Sequence, residues 1–283
     1  MMKLSNILLE IQQILKKANI EEPLKESKLL ICHVLCSNLE IFLLETEKEV
    51  SPRQKNNIYK LAMRRAKGEP FAYLTGAVNF YKNKFYVNNN VLIPRPETEG
   101  LIEVVLKYNS NKNTALNILD IGVGSGIILA SLLQELPNAL GIGTDISIDA
   151  LKVAYTNLTK LNIIHRAQLL NSNWVEGLKN NTFDIVTCNP PYIANEHIKN
   201  LNHSIKKYEP LIALQGGIDG LDSFRSFLPL ARKVMKKNAM IALEIGFDQS
   251  EKLKFILYNN KFTLEETIKD ISGNKRIMIA TAF

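Results

Sequence analysis

Cysteine, histidine and tryptophan are all scarce in this 283-residue chain, at three, four and one. Three cysteines, an odd number, do not make a disulfide framework, so a reducing, cytoplasmic location is expected. No matched acid and nucleophile surround His165, His197 or His203, which leaves a hydrolytic triad without support. Cys32, His33 and Cys36 offer three candidate ligands on one helix with no fourth nearby; no metal site is expected there, and core packing is the preferred reading. Long hydrophobic runs are missing too. Stretches such as Ile127 to Leu133 are interrupted after a few positions, far short of the roughly 20 residues that span a bilayer. The opening Met1-Met2-Lys3-Leu4-Ser5 lacks the apolar block of a secretory signal. No membrane association is expected.

What is present is ordinary globular composition, 46% hydrophobic and 22% charged. The length suits one large domain, or a small one beside a medium one. The net charge of +7 is uneven: residues 1–90 carry 14 Lys/Arg against 9 Asp/Glu, and the remainder 21 against 19. An excess in the first third could face an acidic partner or nucleic acid. Neither part shows a dense Arg/Lys stripe with interleaved aromatics, so a solvated surface is the expectation and direct nucleic-acid binding is not.

The first third has helical periodicity. Ile7, Leu8, Ile11, Ile14, Leu15 and Ala18 recur at helical spacing after Ser5, the expected N-cap. Further apolar groups run through Leu29, Leu30, Val34 and Leu35, and from Leu39 to Leu44. Ser51-Pro52 starts another helix that Gly68 stops. From Phe71 to Ile93 aromatic and β-branched residues alternate around a polar Lys82-Asn83 turn, the pattern of a hairpin. Beyond Pro94, apolar runs at Ala115 to Asp120, Leu140 to Asp145, Ala167 to Leu170, Phe183 to Cys188 and Ala239 to Ile245 alternate with helical patterns. Such alternation implies a mainly parallel sheet covered on both faces. The expected boundaries are 1–70 for a helical domain, 71–93 for the hairpin connector and 94–283 for an α/β domain.

Asp120-Ile121-Gly122-Val123-Gly124-Ser125-Gly126 closes the first strand of that α/β domain and opens a helix. Alternating glycines let a ligand approach the main chain without interference from Cβ atoms, and in an open parallel sheet ligands bind beyond the strands' carboxyl ends. Ile127 stands where a dinucleotide fingerprint needs its third glycine, and no Gly-Lys-Ser/Thr follows to cradle phosphates. The second strand ends at Asp145, whose carboxylate can accept both hydroxyls of a ribose. Glycine loop plus acid reads as a site for a nucleoside without a pyrophosphate, which matches S-adenosyl-L-methionine. A tight turn with no ligand is the plain alternative, weakened by Asp145.

Asn189-Pro190-Pro191-Tyr192 follows the apolar run Phe183 to Cys188. Two consecutive prolines hold the chain stiff and donate no N–H. The Asn189 side-chain oxygen and the Pro190 carbonyl can then accept two hydrogen bonds from a planar NH₂ group, either a carboxamide or the exocyclic amine of a base. A carboxamide nitrogen is a poor nucleophile, and two acceptors orient it and favour positive charge on it during attack. Tyr192 can stack on the flat amide. Arg95, between two prolines, either organises the entrance to the site or pairs with Glu97. Glu244, ending a late apolar run before Gly246, reads as a capping or pairing carboxylate, and Cys188 as a buried filler.

The set Asp120-x-Gly122-x-Gly124-x-Gly126, Asp145 and Asn189-Pro-Pro-Tyr192 resembles class I S-adenosylmethionine-dependent methyltransferases acting on planar nitrogen. Gly68-Glu69-Pro70-Phe71-Ala72-Tyr73-Leu74-Thr75-Gly76, Leu92-Ile93-Pro94-Arg95-Pro96-Glu97-Thr98-Glu99, Tyr208-Glu209-Pro210 and Gly216-Gly217-Ile218-Asp219-Gly220-Leu221 resemble, more narrowly, the release factor glutamine methyltransferases (PrmC/HemK). The resemblance implies a Rossmann-like, mainly parallel seven-stranded sheet with a small N-terminal helical domain joined by a β-hairpin. It implies N5-methylation of the glutamine in the Gly-Gly-Gln motif of class-1 peptide chain release factors, with S-adenosyl-L-methionine as donor. Carried over, Gly122, Val123, Gly124, Ser125 and Gly126 line the cofactor's methionine part, Asp145 binds its ribose and Trp174 lies against its adenine. Asn173 stands where the family commonly has Asp; it keeps an acceptor oxygen without the charge. Asn189, Pro190, Pro191 and Tyr192 hold the substrate glutamine, with Asn189 also near the cofactor. A nucleic-acid base-amine methyltransferase is the alternative, since Asn-Pro-Pro-Tyr serves adenine or guanine amines too. Such enzymes usually carry a further recognition domain or a strongly basic cleft, and this chain has neither to spare. Nothing demands a dimer, so a monomer is expected.

Overall fold

A computed structural model describes residues 2–44 and 47–283; Met1, the first residue of the stretch expected to lack a secretory signal, lies outside them. The chain forms two compact units. One runs through Gly76 and takes in His203–Tyr208, and the other holds Ala77–Asn202 and Glu209–Phe283.

The first unit is helical: α1 (Leu4–Lys17), α2 (Pro23–Leu35), α3 (Leu39–Leu44), α4 (Pro52–Ala66) and α5 (Phe71–Thr75), with a two-residue ribbon of β1 (Met2–Lys3) on β2 (Glu49–Val50). Leu4, Ile7, Ile11 and Leu15 bury one face of α1 against Leu30, Ile31 and Ile58. Ser5 is not the N-cap. The Leu4 N–H donates to the Lys48 carbonyl at 2.9 Å, so the β1–β2 ribbon satisfies that donor and the helix starts two residues earlier, with Lys3 in the capping position. By contrast, Ser51 caps α4 with a complete capping box through Gln54 and Pro52 in the first turn. Gly68 ends that segment at φ +91°, a conformation glycine adopts without strain.

The second unit opens with a hairpin, β3 (Ala77–Phe80) and β4 (Asn83–Tyr86). Its turn falls on Tyr81-Lys82, one residue before the expected Lys82-Asn83, because Tyr81 itself takes φ +51° and Asn83 pairs with Phe80. The central sheet holds β5 (Asn117–Ile121), β6 (Leu140–Asp145), β7 (Ala167–Asn171), β8 (Phe183–Cys188), β9 (Met235–Glu244), β10 (Phe262–Lys269) and β11 (Lys275–Ala282), in the order β10-β11-β9-β8-β5-β6-β7. Only β11 runs against the rest. One face is covered by α6 (Glu99–Tyr108), α7 (Ile127–Glu135) and α8 (Ile148–Lys160), with Phe80 and Phe85 of the hairpin in the same core. Beyond the short α9 (Asn195–Ile198) and α10 (His203–Tyr208), the helices α11 (Asp222–Val234) and α12 (Ser250–Asn259) cover the other face. Next to β5, the chain goes on to β6 on one side and later returns to β8 on the other. This reversal opens a crevice beyond the carboxyl ends of β5 and β8.

Candidate active site

That crevice is a cavity of about 300 Å³, and the sequence motifs meet in its wall. The loop after β5 turns through Gly122, Gly124 and Gly126 at φ +69°, +53° and +81°, values that L side chains rarely adopt. It is pinned by bonds from the Val123 N–H to the Thr144 carbonyl (2.8 Å) and from the Gly124 N–H to Asp145 Oδ2 (2.9 Å). A Cβ at Gly122 would meet nothing within 4 Å, so the main chain there is open to a ligand. Asp145 Oδ1 accepts from the Ser147 N–H at 2.9 Å, which leaves further lone pairs on the carboxylate. Burial holds its pKa above the ordinary carboxylate value against these backbone donors. Beneath the loop, Asp120 is buried, with Oδ1 accepting from Thr187 Oγ1 at 2.8 Å and Oδ2 without a hydrogen-bond partner among the described residues; desolvation pushes its pKa up to about 7. Thr144 Oγ1, on the cavity wall, is also buried without a hydrogen-bond partner among the described residues.

Ser172, Asn173 and Trp174 line the cavity beyond β7. The Trp174 ring lies 5.3 Å, centroid to centroid, from Phe227, and its backbone takes φ +58°, unusual for a bulky residue and a feature of constrained functional positions. Asn173 is exposed, its amide nitrogen 3.4 Å from Glu176 Oε1.

Asn189, Pro190 and Pro191 continue from β8 into the same wall. The Asn189 amide Nδ2 donates to Glu244 Oε2 at 2.9 Å and to Thr98 Oγ1 at 3.3 Å. Thr98 Oγ1 in turn donates to Glu244 Oε2 at 2.6 Å, and the Tyr192 hydroxyl to Glu244 Oε1 at 3.1 Å. Ser223 Oγ donates to the Pro191 carbonyl at 2.9 Å and Gln249 Nε2 to the Tyr192 carbonyl at 2.8 Å. Among the described residues, no donor of the chain engages Asn189 Oδ1 or the Pro190 carbonyl. Gly126 and Tyr192 stand back from the wall that the other motif residues line. Tyr192 is turned onto Glu244, and burial beside that carboxylate raises its pKa.

Arg95 does not pair with Glu97. Its guanidinium meets the buried Glu209 carboxylate at 2.6 Å, and the Ile93 N–H donates to the same group at 3.1 Å, tying two stretches of the cavity rim together. Thr98, Glu209, Ser223 and Gln249 are contributors that motif reading missed. Glu209 is visible only as part of Tyr208-Glu209-Pro210 and Thr98 only as part of the 92–99 stretch, neither with a role attached, and Ser223 and Gln249 have no local signature. Cys188 is fully buried, which raises its thiol pKa. Among the described residues, no group of three or more His, Cys, Asp or Glu is placed to hold a metal, and no helix is long and apolar enough to cross a membrane.

Comparison with known proteins gives this arrangement a family. Residues 6–76 match the PrmC N-terminal domain and residues 100–208 the methyltransferase small domain. The release factor glutamine methyltransferase of Caulobacter vibrioides is 37% identical over 265 residues, 94% of this chain and 91% of that protein. The one from Clostridium acetobutylicum is 34% identical over 281 residues, 99% and 98%. A bifunctional methyltransferase of Rickettsia typhi is 38% identical over 294 residues, and the match spans only 56% of its length. The hMettl16 catalytic domain, solved with a 3′UTR hairpin, superposes over 82% of both chains with a TM-score of 0.55 at 17% identity, a likeness of fold. That fold is the class I methyltransferase fold, whose methyl donor is S-adenosyl-L-methionine. With a crevice built from its own glycine loop, Asp145 and Asn-Pro-Pro-Tyr, and with near full-length relatives on both sides of the comparison, the chain belongs to the release factor glutamine methyltransferase family.

Proposed function

We propose that this chain methylates the side-chain amide nitrogen of the glutamine in the Gly-Gly-Gln motif of class-1 peptide chain release factors. The observation that carries this reading is the pair of unengaged acceptors, Asn189 Oδ1 and the Pro190 carbonyl, in one cavity wall with the glycine loop and Asp145. The cavity's chemistry suits S-adenosyl-L-methionine. Open main chain at Gly122, an acid at the end of β6 and, on the cavity wall, the buried Thr144 hydroxyl with no partner among the described residues fit a polar, nucleoside-bearing ligand. Gly122 to Ser125 hold its methionine part, with Gly126 turning the chain into α7 behind them, Asp145 holds its ribose, and Asn173 and Trp174 its adenine. When bound, this cofactor supplies an electrophilic methyl group on a sulfonium.

The protein's part is to make a weak nucleophile competent. Asn189 Oδ1 and the Pro190 carbonyl take the two N–H bonds of the substrate amide, orient its nitrogen and favour the positive charge that grows there during attack. Pro191 keeps that pair rigid, and Tyr192 braces it from behind. No base is needed beforehand, since the proton leaves after the nitrogen has been alkylated. Residues 1–70 serve as the recognition domain for the protein substrate, 71–93 as a connector made of α5 and the β3–β4 hairpin, and 94–283 as the methyltransferase domain. The enzyme works as a cytoplasmic monomer on a protein, without binding nucleic acid directly.

A transfer assay with labelled S-adenosyl-L-methionine tests this. Purified release factor, its variant with the motif changed to Gly-Gly-Ala, and total nucleic acid are offered in parallel. Label on the unaltered factor alone is the expected outcome. Label on nucleic acid would move the assignment to base-amine methylation.

A further inference from the structure

We propose that Glu244 is a positioning residue, which holds the Asn189 amide so that only its oxygen, never its NH₂, faces the substrate. The inference rests on the reading that Asn189 receives the substrate amide. A side-chain amide is nearly symmetric in shape, and a half-turn exchanges its acceptor for its donor. A loop asparagine with no fixed partners would present either. A site that must accept from an NH₂ group therefore needs something that distinguishes the two ends.

The sheet supplies it through register. β8 and β9 are parallel neighbours with Cys188 opposite Leu243, so the next residues along, Asn189 and Glu244, are brought side by side at the strands' ends. Glu244 is 1% exposed and receives three donors: Thr98 Oγ1 and Asn189 Nδ2 on Oε2, and the Tyr192 hydroxyl on Oε1. Turning the Asn189 amide over would set its oxygen against the carboxylate. It would also face Thr98, whose hydroxyl hydrogen is already given to Glu244. Both contacts become acceptor against acceptor, so one orientation is enforced by two residues.

The same geometry ties the device to ionisation. A carboxylate accepts all three donors, whereas a protonated one must donate from an oxygen that donors already surround. Burial raises the Glu244 pKa above that of an ordinary glutamate; the Thr98 and Tyr192 hydroxyls and the Arg276 charge on β11 oppose the shift, and Glu97 adds to it. Asp120, Asp145 and the Cys188 thiol share this buried region, since all three carboxylates act on Cys188. Substrate selection follows as well. An oxygen-only Asn189 accepts glutamine and repels the isosteric glutamate.

The experiment uses the full chain and two peptides, one with Gly-Gly-Gln and one with Gly-Gly-Glu as competitor. Glu244→Ala frees the amide. kcat for the glutamine peptide falls by about 100-fold, the scale on which small misplacements cost rate, while cofactor affinity holds and the glutamate peptide becomes a measurable competitor. Glu244→Gln can still turn an oxygen to Asn189 and Thr98 and an NH₂ to the Tyr192 hydroxyl. It restores most of kcat and the discrimination, but loses the acid-side decline in kcat. Undiminished discrimination in Glu244→Ala, or an acid limb that persists in Glu244→Gln, overturns the proposal. The second readout decides the matter even where the alanine variant does not fold. Asn189→Ala separates the two levels. If it turns over normally, the reading of the site itself fails; if it is inactive while Glu244→Ala matches the parent, only the positioning role fails.

Discussion

Two aspartates, Asp120 buried and Asp145 half-buried, flank the glycine loop and do different work. Asp145 uses two lone-pair sites on the Gly124 and Ser147 N–H groups, which shapes the loop and leaves acceptor capacity for a diol. Asp145→Ala is expected to weaken cofactor binding by about 1.5–3 kcal/mol, the range for hydrogen bonds to a charged group; calorimetry showing an unchanged dissociation constant would remove it from the ribose site. Asp120 has only Thr187 as a side-chain donor, and its pKa stands at about 7 against 3.8 for an ordinary aspartate. Between those two values the unfolded chain releases this proton and the folded one retains it, so stability falls as pH rises and then levels off. Asp120→Asn is expected to remove that slope and to be more stable than the parent at pH 8, as urea unfolding across a pH series would reveal. These acids, like Asn-Pro-Pro-Tyr, were legible in the sequence because each sits in a run of residues at a strand end. Glu244 was legible as a pairing carboxylate and Thr98 as part of the 92–99 stretch, but their meeting with Asn189 was not, since they lie 55 and 91 residues from it and reach it only after the sheet has set its register.

Elements reveal themselves in proportion to how apolar they are. β6 and β8 have the bounds that their short, mainly apolar runs foretell, Leu140–Asp145 and Phe183–Cys188. β9 starts earlier than its apolar run because polar Lys236, Lys237 and Asn238 extend it from Met235. β10 and β11 escape a search for apolar runs, since the first mixes Thr, Glu and Lys with its hydrophobics and gains its place by antiparallel pairing with the second. Glycine within a strand is a subtler sign. A Cβ at Gly143 would come within 2.7 Å of Val123 Cγ2 and 3.0 Å of Leu169 Cδ2, and one at Gly141 within 2.6 Å of Leu129 Cδ1. β6 is therefore thinned where α7 and the glycine loop lie on it. Gly143→Ala should cost about 1–3 kcal/mol by overpacking and weaken cofactor binding, because the strain falls on Val123 within the loop. Denaturant midpoint and calorimetry on the same variant check both halves, and a loss of stability with unchanged affinity would show that the loop absorbs the added methyl.

Across the whole molecule the charge is divided more sharply than the net value suggests. α4 carries five Arg/Lys and no acid. Arg64 is paired with Glu69 and Arg65 with Glu26, whereas Arg53 and Lys60, both exposed, have no ion-pair partner among the described residues. A solvated face explains such charges if nothing touches it, and then reversing them changes little, since isolated surface charges contribute little to stability. If the helical unit receives the release factor, the same charges steer and orient that encounter, an effect on association that salt screens. On that reading a short glutamine peptide, too small to engage α4, serves as the internal control. Reversing both charges, Arg53→Glu with Lys60→Glu, should raise KM for the intact release factor by about tenfold at low ionic strength, leave KM for the peptide unchanged, and flatten the salt dependence of the protein reaction. Equal KM values for parent and variant on the intact factor, at every salt concentration, would return α4 to the solvated reading and place recognition elsewhere on the chain.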